Sequence, residues 1–437
     1  MTPAWWPQHP DDEALAAAAA HGTPVLGDAR VIDGVTMREA TFLWRDDRQH
    51  GPSPSVLIHL NTLTDNHRTH ITPALADRVP GTSWWALHVL LPEDGLVGYR
   101  IVVTRDRLPD DAGARRERWK WVHAHGRPDV FSPEHLHDGF GFVSSLWEGP
   151  GAVTHPEWST ASADGVAAAL SVDPGGGGSG YGHGVELGGA AVADFDAPGD
   201  HVRRVTLWQQ DRIGERHGTE RKEGAGTQRG LLVLLDGETW RRNDVVRRLG
   251  ARAATWDLLV IDSGDPAMRA RDLGDPHRSR ELLIRCLEAA QDGRPRWSPQ
   301  RVVVAGQSLG GVAAADLVIH RPDIAGRAIA QSASFWLGSG LRGEGEGALL
   351  AWLRRRAGQE RSEPLSARLV VQCGVHEGVL RQGAHAFAEL LAAEGALLEY
   401  REVRGGHDYA WWRHGVSWGL DAHERDLVSE HDPTVSR

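Results

Sequence analysis

Between residues 31 and 105 apolar positions recur in short runs, VTMREATFLWR, SVLIHLNTL, SWWALHVLL and LVGYRIVVTR, separated by turn-rich pieces such as DDRQHGPSPS and RVPGT. Short strands at this spacing predict a small antiparallel β-sandwich of the immunoglobulin-like kind. The stretch from about 106 to HPEWST near 160 carries charge, Pro and Gly with little periodicity, and reads as the last sandwich elements followed by an interdomain linker.

From residue 161 the pattern changes. GVAAALSVD and VRRVTLWQQD read as strands of a hairpin, with the glycine-rich insertion 174–184, PGGGGSGYGHG, as a loop between or beside them. No Gly-Lys-Ser/Thr follows that glycine run, so it does not read as a phosphate cradle. Continuous apolar runs then alternate with helix-like segments: RGLLVLLDG, DLLVIDSG, RSRELLIRCLEAAQ, RVVVAGQSLGG, GRAIAQSASF, ARLVVQCGVHE, GAHAFAELLAAEG and ALLEYREV. Such alternation predicts a largely parallel sheet covered on both faces, an α/β domain whose chemistry sits at the carboxyl ends of its strands. Two domains, 1–160 and 161–437, suit a chain of 437 residues, which is too long for one ordinary core.

The candidate chemistry begins in VVVAGQSLGGVAAADL (302–317), where an apolar run meets Gly306-Gln307-Ser308-Leu309-Gly310 and then a small-residue helix. Strand, sharp turn and helix make a nucleophile elbow, in which glycines two before and two after Ser308 keep side chains out of a strained turn. The motif alone is equally compatible with an ordinary strand-to-helix turn. An α/β-hydrolase reading requires an acid and then a histidine on later loops, and the chain supplies Glu377 after ARLVVQCG and His407 in GGHD after LLEYREV. A serine hydroxyl needs an imidazole to take its proton, and a carboxylate to hold that imidazole in the right tautomer. Glu377 as a helix cap, and a Ser-His pair without an acid, stay open at this level. The oxyanion donors are expected at the backbone of Leu309 and around Gly237 and Glu238, in the early strand-to-helix loop.

Composition narrows the class. The 41% hydrophobic and 24% charged fractions are those of a globular protein, and no apolar run approaches the ~20 residues of a membrane span. A net charge of -11 argues against a nucleic-acid partner. Two cysteines, Cys286 and Cys373, make no disulfide framework and fit a cytoplasmic location, and the N-terminus, with acids ahead of its alanine run, reads as a short helix and not a secretory signal. His67 and His70 in HRTH lack a partnered ligand set, so no protein-bound metal is expected. The 18 tryptophans, several in pairs, are unusual, and serve either packing or a stacking surface for aromatic ligands.

Several stretches together resemble the enterochelin (ferric enterobactin) esterase family: TFLWR (41–45), GTSWWALHVLLPEDGLVGYRI (81–101), HPEWS (155–159), LLVLLDGETW (231–240), VIDSGDPAMRARDL (260–273), VVVAGQSLGGVAA (302–314) and GGHDYAWWRHGVSWGL (405–420). The resemblance implies an N-terminal β-sandwich before an α/β-hydrolase esterase domain. It implies hydrolysis of the trilactone ester bonds of catecholate siderophores such as enterobactin, with iron carried by the substrate, no further cofactor, and iron release in the cytoplasm. Ser308, Glu377 and His407 fall on that family's catalytic positions, and Asp236 and Arg269 on positions near its substrate. A guanidinium at Arg269 suits an anionic, oxygen-rich tris-catecholate. Trp411 and Trp412 either stack on catechol rings or pack the histidine loop. The chain departs from the family in reading Arg269-Ala270-Arg271-Asp272-Leu273 where Arg-x-x-Glu-Leu is usual, and in having RPDVFSPEHL as linker. Two other classes compete: a feruloyl- or acetyl-type carbohydrate esterase with a binding module, and a siderophore-binding protein that has lost catalysis. Oligomeric state has no signature in the chain.

Overall fold

A computed structural model describes residues 3–46, 55–139, 141–159, 190–196, 203–210, 229–292, 296–338, 346–358 and 363–431. The chain divides into two compact units: Met1–Val153 with Gly374–Glu377 and Glu402–Trp412, and Thr154–Cys373 with Gly378–Arg401 and Arg413–Arg437.

The first unit contains a β-sandwich. Strands β1 (Val25–Ile32), β2 (Val35–Arg45), β4 (Asp77–Arg78) and β5 (Trp84–Pro92) form one antiparallel sheet in the order β1-β2-β5-β4. Strands β3 (Ser55–Leu60), β6 (Leu96–Thr104), β7 (His135–His137) and β8 (Val143–Glu148) form the other, in the order β3-β6-β8-β7. Alternate residues meet in one core: Ala40 and Phe42 of β2, Val56 and Ile58 of β3, Leu87 and Leu91 of β5, Val97, Tyr99 and Ile101 of β6. Period-two side-chain direction is what lets two sheets share a core this way. The alanine-rich segment is the helix Asp12–Ala20, its first turn capped by Asp11, which accepts from Ala14 N at 2.8 Å. The charged stretch after β6 holds a helix that periodicity alone does not announce, Arg116–His125, which buries only Trp119 and Val122.

The second unit is built on an eight-stranded sheet of order β16-β15-β14-β13-β11-β12-β10-β9, whose strands are β9 (Ala190–Asp196), β10 (Arg204–Gln210), β11 (Gly230–Leu235), β12 (Trp256–Ile261), β13 (Val302–Gln307), β14 (Arg327–Gln331), β15 (Arg368–Gly374) and β16 (Leu397–Val403). Residues 374 and 402–403, the tips of β15 and β16, count with the first unit. Strands β11 to β15 pair in parallel, while β10 runs antiparallel to both β12 and β9. Every residue of β11, β12 and β13 is buried, because a sheet covered by helices on both faces has no polar side.

Two expectations change. The hairpin partner of β10 is β9, while GVAAALSVD and the glycine-rich insertion 174–184 lie outside the described residues. The unit boundary falls at Val153/Thr154, ahead of residue 160, because HPEWS packs within the second unit: Trp158 Nε1 donates to Ser417 Oγ at 3.0 Å and Glu157 accepts from Arg252 Nε at 2.5 Å.

Candidate active site

Ser308 stands between β13 and the helix Leu309–His320 with φ 58° and ψ -118°, a conformation that only an over-determined turn imposes on a residue with a Cβ. Its backbone is held on both sides, with Ser308 N donating to Gln331 O at 3.0 Å and Ser334 N donating to Ser308 O at 3.0 Å. The close approach of helix to strand demands glycine at 306, where a Cβ would lie 2.3 Å from Gly310 O. The second tight glycine is Gly311, whose added Cβ would lie 2.9 Å from Ala333 Cβ, whereas Gly310 would make ordinary contact with Leu235 at 3.4 Å. The elbow's steric requirement therefore sits at 306 and 311, one residue past the position the motif suggests. Ser308 Oγ lies 3.3 Å from Ser334 Oγ.

As first residue of its helix, Leu309 has an amide with no acceptor inside that helix, which is the property an oxyanion donor needs. Gly237 and Glu238 likewise open the helix Gly237–Arg242 directly after β11. A Cβ on Gly237 would meet Asp262 Oδ1 at 2.7 Å, so the loop runs close against the end of β12. The Glu238 side chain turns away to accept from Ser263 N at 2.9 Å, and burial raises its pKa.

Asp236, in left-handed backbone geometry and 4% exposed, accepts from Arg269 Nε at 2.6 Å and Arg269 Nη2 at 2.8 Å. Arg269 Nη2 also donates to Gln307 O at 3.2 Å, one residue before the nucleophile candidate. Both Asp236 oxygens are thus spent on aiming a guanidinium. Asp236 orients Arg269 and presents no surface of its own for a ligand. Asp272, in the departing RARDL segment, is occupied by Arg271 and Arg203, and the Arg271 hydrogen bond leads the lowering of its pKa to about 2.

The acid and base candidates meet within the first unit. Glu377 follows β15, His407 follows β16, and His407 Nδ1 lies 2.7 Å from Glu377 Oε1. An ionised carboxylate only accepts, so Nδ1 carries the proton and Nε2 is left as the ring's acceptor. The second carboxylate oxygen accepts from Gly374 N at 2.8 Å. With the helix after it beginning at Val379 and capped by Gly378, Glu377 is not a helix cap. Asp408 takes the structural role instead, accepting from Ala410 N at 3.0 Å and from Gly98 N.

The tryptophan pair is resolved in favour of packing. Trp411 is 0% exposed and donates from Nε1 to Gly406 O, so it has no face to offer a catechol. Trp412, 5% exposed, sets its ring edge-on to His407 at 4.8 Å and to Tyr409 at 4.8 Å. Both support the histidine loop.

Residues 39–158 match the family described as "Enterochelin esterase, N-terminal", and residues 280–418 match the family described as "Putative esterase". The iron(III) enterobactin esterase of Dickeya dadantii is 27% identical over 461 residues, spanning 99% of this chain and 94% of its own. The chain belongs to the enterochelin esterase family. An iron(III) enterobactin esterase of Escherichia coli O6:H1 is 26% identical, covering 88% of this chain and 90% of its own. A crystal structure of the Shigella flexneri enterobactin esterase in the presence of enterobactin superposes with TM-score 0.72 at 23% identity, covering 95% of this chain and 98% of that one.

Membership in this family does not by itself reveal the buried supports of the site. Under the elbow an amide ladder crosses three strands: Gln307 Nε2 donates to Gln331 Oε1 at 2.7 Å, Gln331 Nε2 to Gln372 Oε1 at 2.9 Å, and Gln372 Nε2 to Gly415 O at 2.9 Å. Its trace in the sequence is a glutamine near the carboxyl end of three successive strands, in AGQS, AQS and VQCG. His70 of HRTH pairs with Asp110 at 2.5 Å in an exposed position.

Proposed function

We infer that this chain is a serine esterase that hydrolyses the trilactone ester bonds of a ferric catecholate siderophore of the enterobactin type, and that its product step frees iron in the cytoplasm. The observation that carries the reading is the 2.7 Å contact between His407 Nδ1 and Glu377 Oε1, which leaves Nε2 as a general base. The strained Ser308 elbow and relatives named as iron(III) enterobactin esterases support it.

In the proposed chemistry Ser308 Oγ attacks the ester carbonyl carbon while His407 Nε2 takes its proton. The amide of Leu309, with those of Gly237 and Glu238, stabilises the tetrahedral oxyanion. The C–O bond to the leaving alkoxide breaks as His407 returns the proton to that oxygen. Water, activated by His407, then cleaves the Ser308 ester and regenerates the hydroxyl. Arg269, held flat by Asp236, offers a guanidinium suited to catecholate oxygens. Iron enters only as part of the substrate. The cytoplasmic location is supported by Cys286 and Cys373, both buried free thiols, and among the described residues no helix is long and apolar enough to cross a membrane.

The test is chromatography of purified protein incubated with ferric and iron-free catecholate trilactones. Release of linear and monomeric products is expected. Turnover of a feruloyl ester with neither trilactone cut would overturn the reading in favour of a carbohydrate-type esterase.

A further inference from the structure

Thr62 is a β-branched residue at φ 65° and ψ -43°, a backbone conformation that such a side chain adopts only at a cost. What the strain accomplishes is visible 345 residues later in the chain. Thr62 Oγ1 accepts from His407 N at 2.8 Å, while Asn61 Nδ2 donates to His407 O at 3.1 Å. Both main-chain groups of the candidate base are therefore held by adjacent side chains of one turn in the sandwich unit. The same turn reaches the acid loop, where Asn66 Nδ2 donates to His376 O at 3.0 Å, next to Glu377. The approach is close enough that a Cβ on Gly406 would lie 2.3 Å from Thr62 Oγ1.

Asp65 locks this turn. Its Oδ2 accepts from Thr62 N at 2.8 Å, and its Oδ1 faces Trp119 Nε1 at 2.7 Å, His59 Nε2 at 3.1 Å and His123 Nε2 at 3.1 Å. The ligand-type atoms of His59, Asp65 and His123 lie within 4.8 Å of one another, which invites a metal reading. The hydrogen-bond roles oppose it. Arg100 Nη2 lies 3.3 Å from His123 Nδ1 and can only donate, so His123 Nε2 carries the proton and donates to Asp65. A metal cation there would also face the Arg100 guanidinium. The cluster is a desolvated carboxylate satisfied by four donors, three side chains on Oδ1 and the Thr62 amide on Oδ2, and its product is a rigid Thr62.

We propose that the 61–66 turn is a positioning device for catalysis, in which Thr62 and Asn61 fix the backbone of His407, Asn66 fixes the loop of Glu377, and Asp65 holds the turn in its strained shape. The inference rests on His407 being the base. A misplaced general base costs on the order of 10²-fold in rate when it moves by about 1 Å, without weakening substrate binding.

The experiment measures kcat and KM for a catecholate trilactone and for p-nitrophenyl butyrate, with melting temperatures, in Thr62→Val, Thr62→Ser, Asn61→Ala and His407→Ala. Thr62→Val is expected to lower kcat on both esters by roughly 10²-fold with KM within about twofold and Tm within about 3 °C, and Thr62→Ser to restore most of the rate. In a Glu377→Gln background the same Thr62→Val change should cost less, since there is less alignment left to lose. Asn61→Ala, which removes the bond to His407 O, carries the test if Thr62→Val does not fold. Wild-type kcat in Thr62→Val or, failing that, in Asn61→Ala, beside an inactive His407→Ala, overturns the positioning role alone. Wild-type kcat in His407→Ala overturns the assignment of the base and the positioning role with it. Saturable Zn²⁺ binding abolished by His123→Ala would overturn the reading of the Asp65 cluster.

Discussion

Glu377 and His407 are bound to each other through one carboxylate oxygen at 2.7 Å, while the other oxygen is tied to Gly374 N at 2.8 Å, so the carboxylate that holds the imidazole is itself held in place. Its side chain is fully buried and the imidazole about a third exposed. That gradient suits a pair in which one member orients and the other exchanges protons. Glu377→Gln keeps the shape but replaces an obligate acceptor with an amide that can present its NH₂ to Nδ1, which selects the wrong tautomer. A fall in kcat of the order of 10²- to 10⁴-fold is expected, with little change in KM. A loss below about tenfold would instead support a Ser-His pair.

Ser308→Ala removes the oxygen of the candidate nucleophile from the elbow and leaves a smaller side chain in the same turn. Turnover of catecholate trilactone should fall at least ~10³-fold, while equilibrium binding of the ferric ligand, followed by its absorbance or by tryptophan fluorescence, stays within about threefold. Residual turnover near the wild-type rate would move the nucleophile elsewhere.

Arg269→Lys preserves charge but cannot reproduce the paired Nε and Nη2 bonds to Asp236, and leaves that buried carboxylate poorly matched. If the guanidinium serves the anionic substrate, KM for a ferric catecholate should rise about tenfold, while kcat/KM for neutral p-nitrophenyl butyrate changes less than about twofold. Equal losses on both esters would make the pair a support of the elbow through Gln307 O.

The parts legible in the sequence are those with local signatures. The run VTMREATFLWR is strand β2 to the residue, Val35–Arg45, and the apolar run before Ser308 is β13. The order of Ser308, Glu377 and His407 is legible because each follows the carboxyl end of a strand in a regular alternation. The helix Arg116–His125 is hidden because a helix burying only Trp119 and Val122 has too few apolar positions to show a period. Trp411 reads equally well as a ligand platform or as core, since burial, the property that separates them, depends on distant segments. The Asn61 and Thr62 bonds to His407 leave no local trace, because two polar side chains in a turn look the same whether they meet water or a loop from the far end of the chain.

His423 gives the pH dependence of stability a definite sign. It is 0% exposed in the helix Tyr409–His431, with Nε2 donating to Ala328 O at 3.1 Å. Burial, and secondarily the Arg327 guanidinium, push its pKa down to about 3, against a smaller opposing effect of the Ala328 bond. Arg327 is itself engaged by Asp426 at 2.6 Å and Glu430 at 3.0 Å. Because the folded pKa lies below the unfolded value of 6.5, the unfolded chain takes up a proton first as pH falls. The stabilising contribution is complete above pH 6.5 and is lost progressively down toward pH 3, at about 1.4 kcal/mol for each pH unit. His59 and His88, also lowered by burial, act in the same direction, so the wild-type slope is a sum. Asp272 and Asp421, both lowered to about 2, keep their stabilising contribution above their unfolded value of 3.8 and lose it only as pH falls below that, so they add little slope at higher pH. Denaturant unfolding of wild type and His423→Gln between about pH 4.5 and 6 therefore isolates the histidine, and the variant's slope should be shallower by about 1.4 kcal/mol per pH unit. Parallel slopes would show that His423 is protonated in the folded protein and that its burial carries no proton linkage.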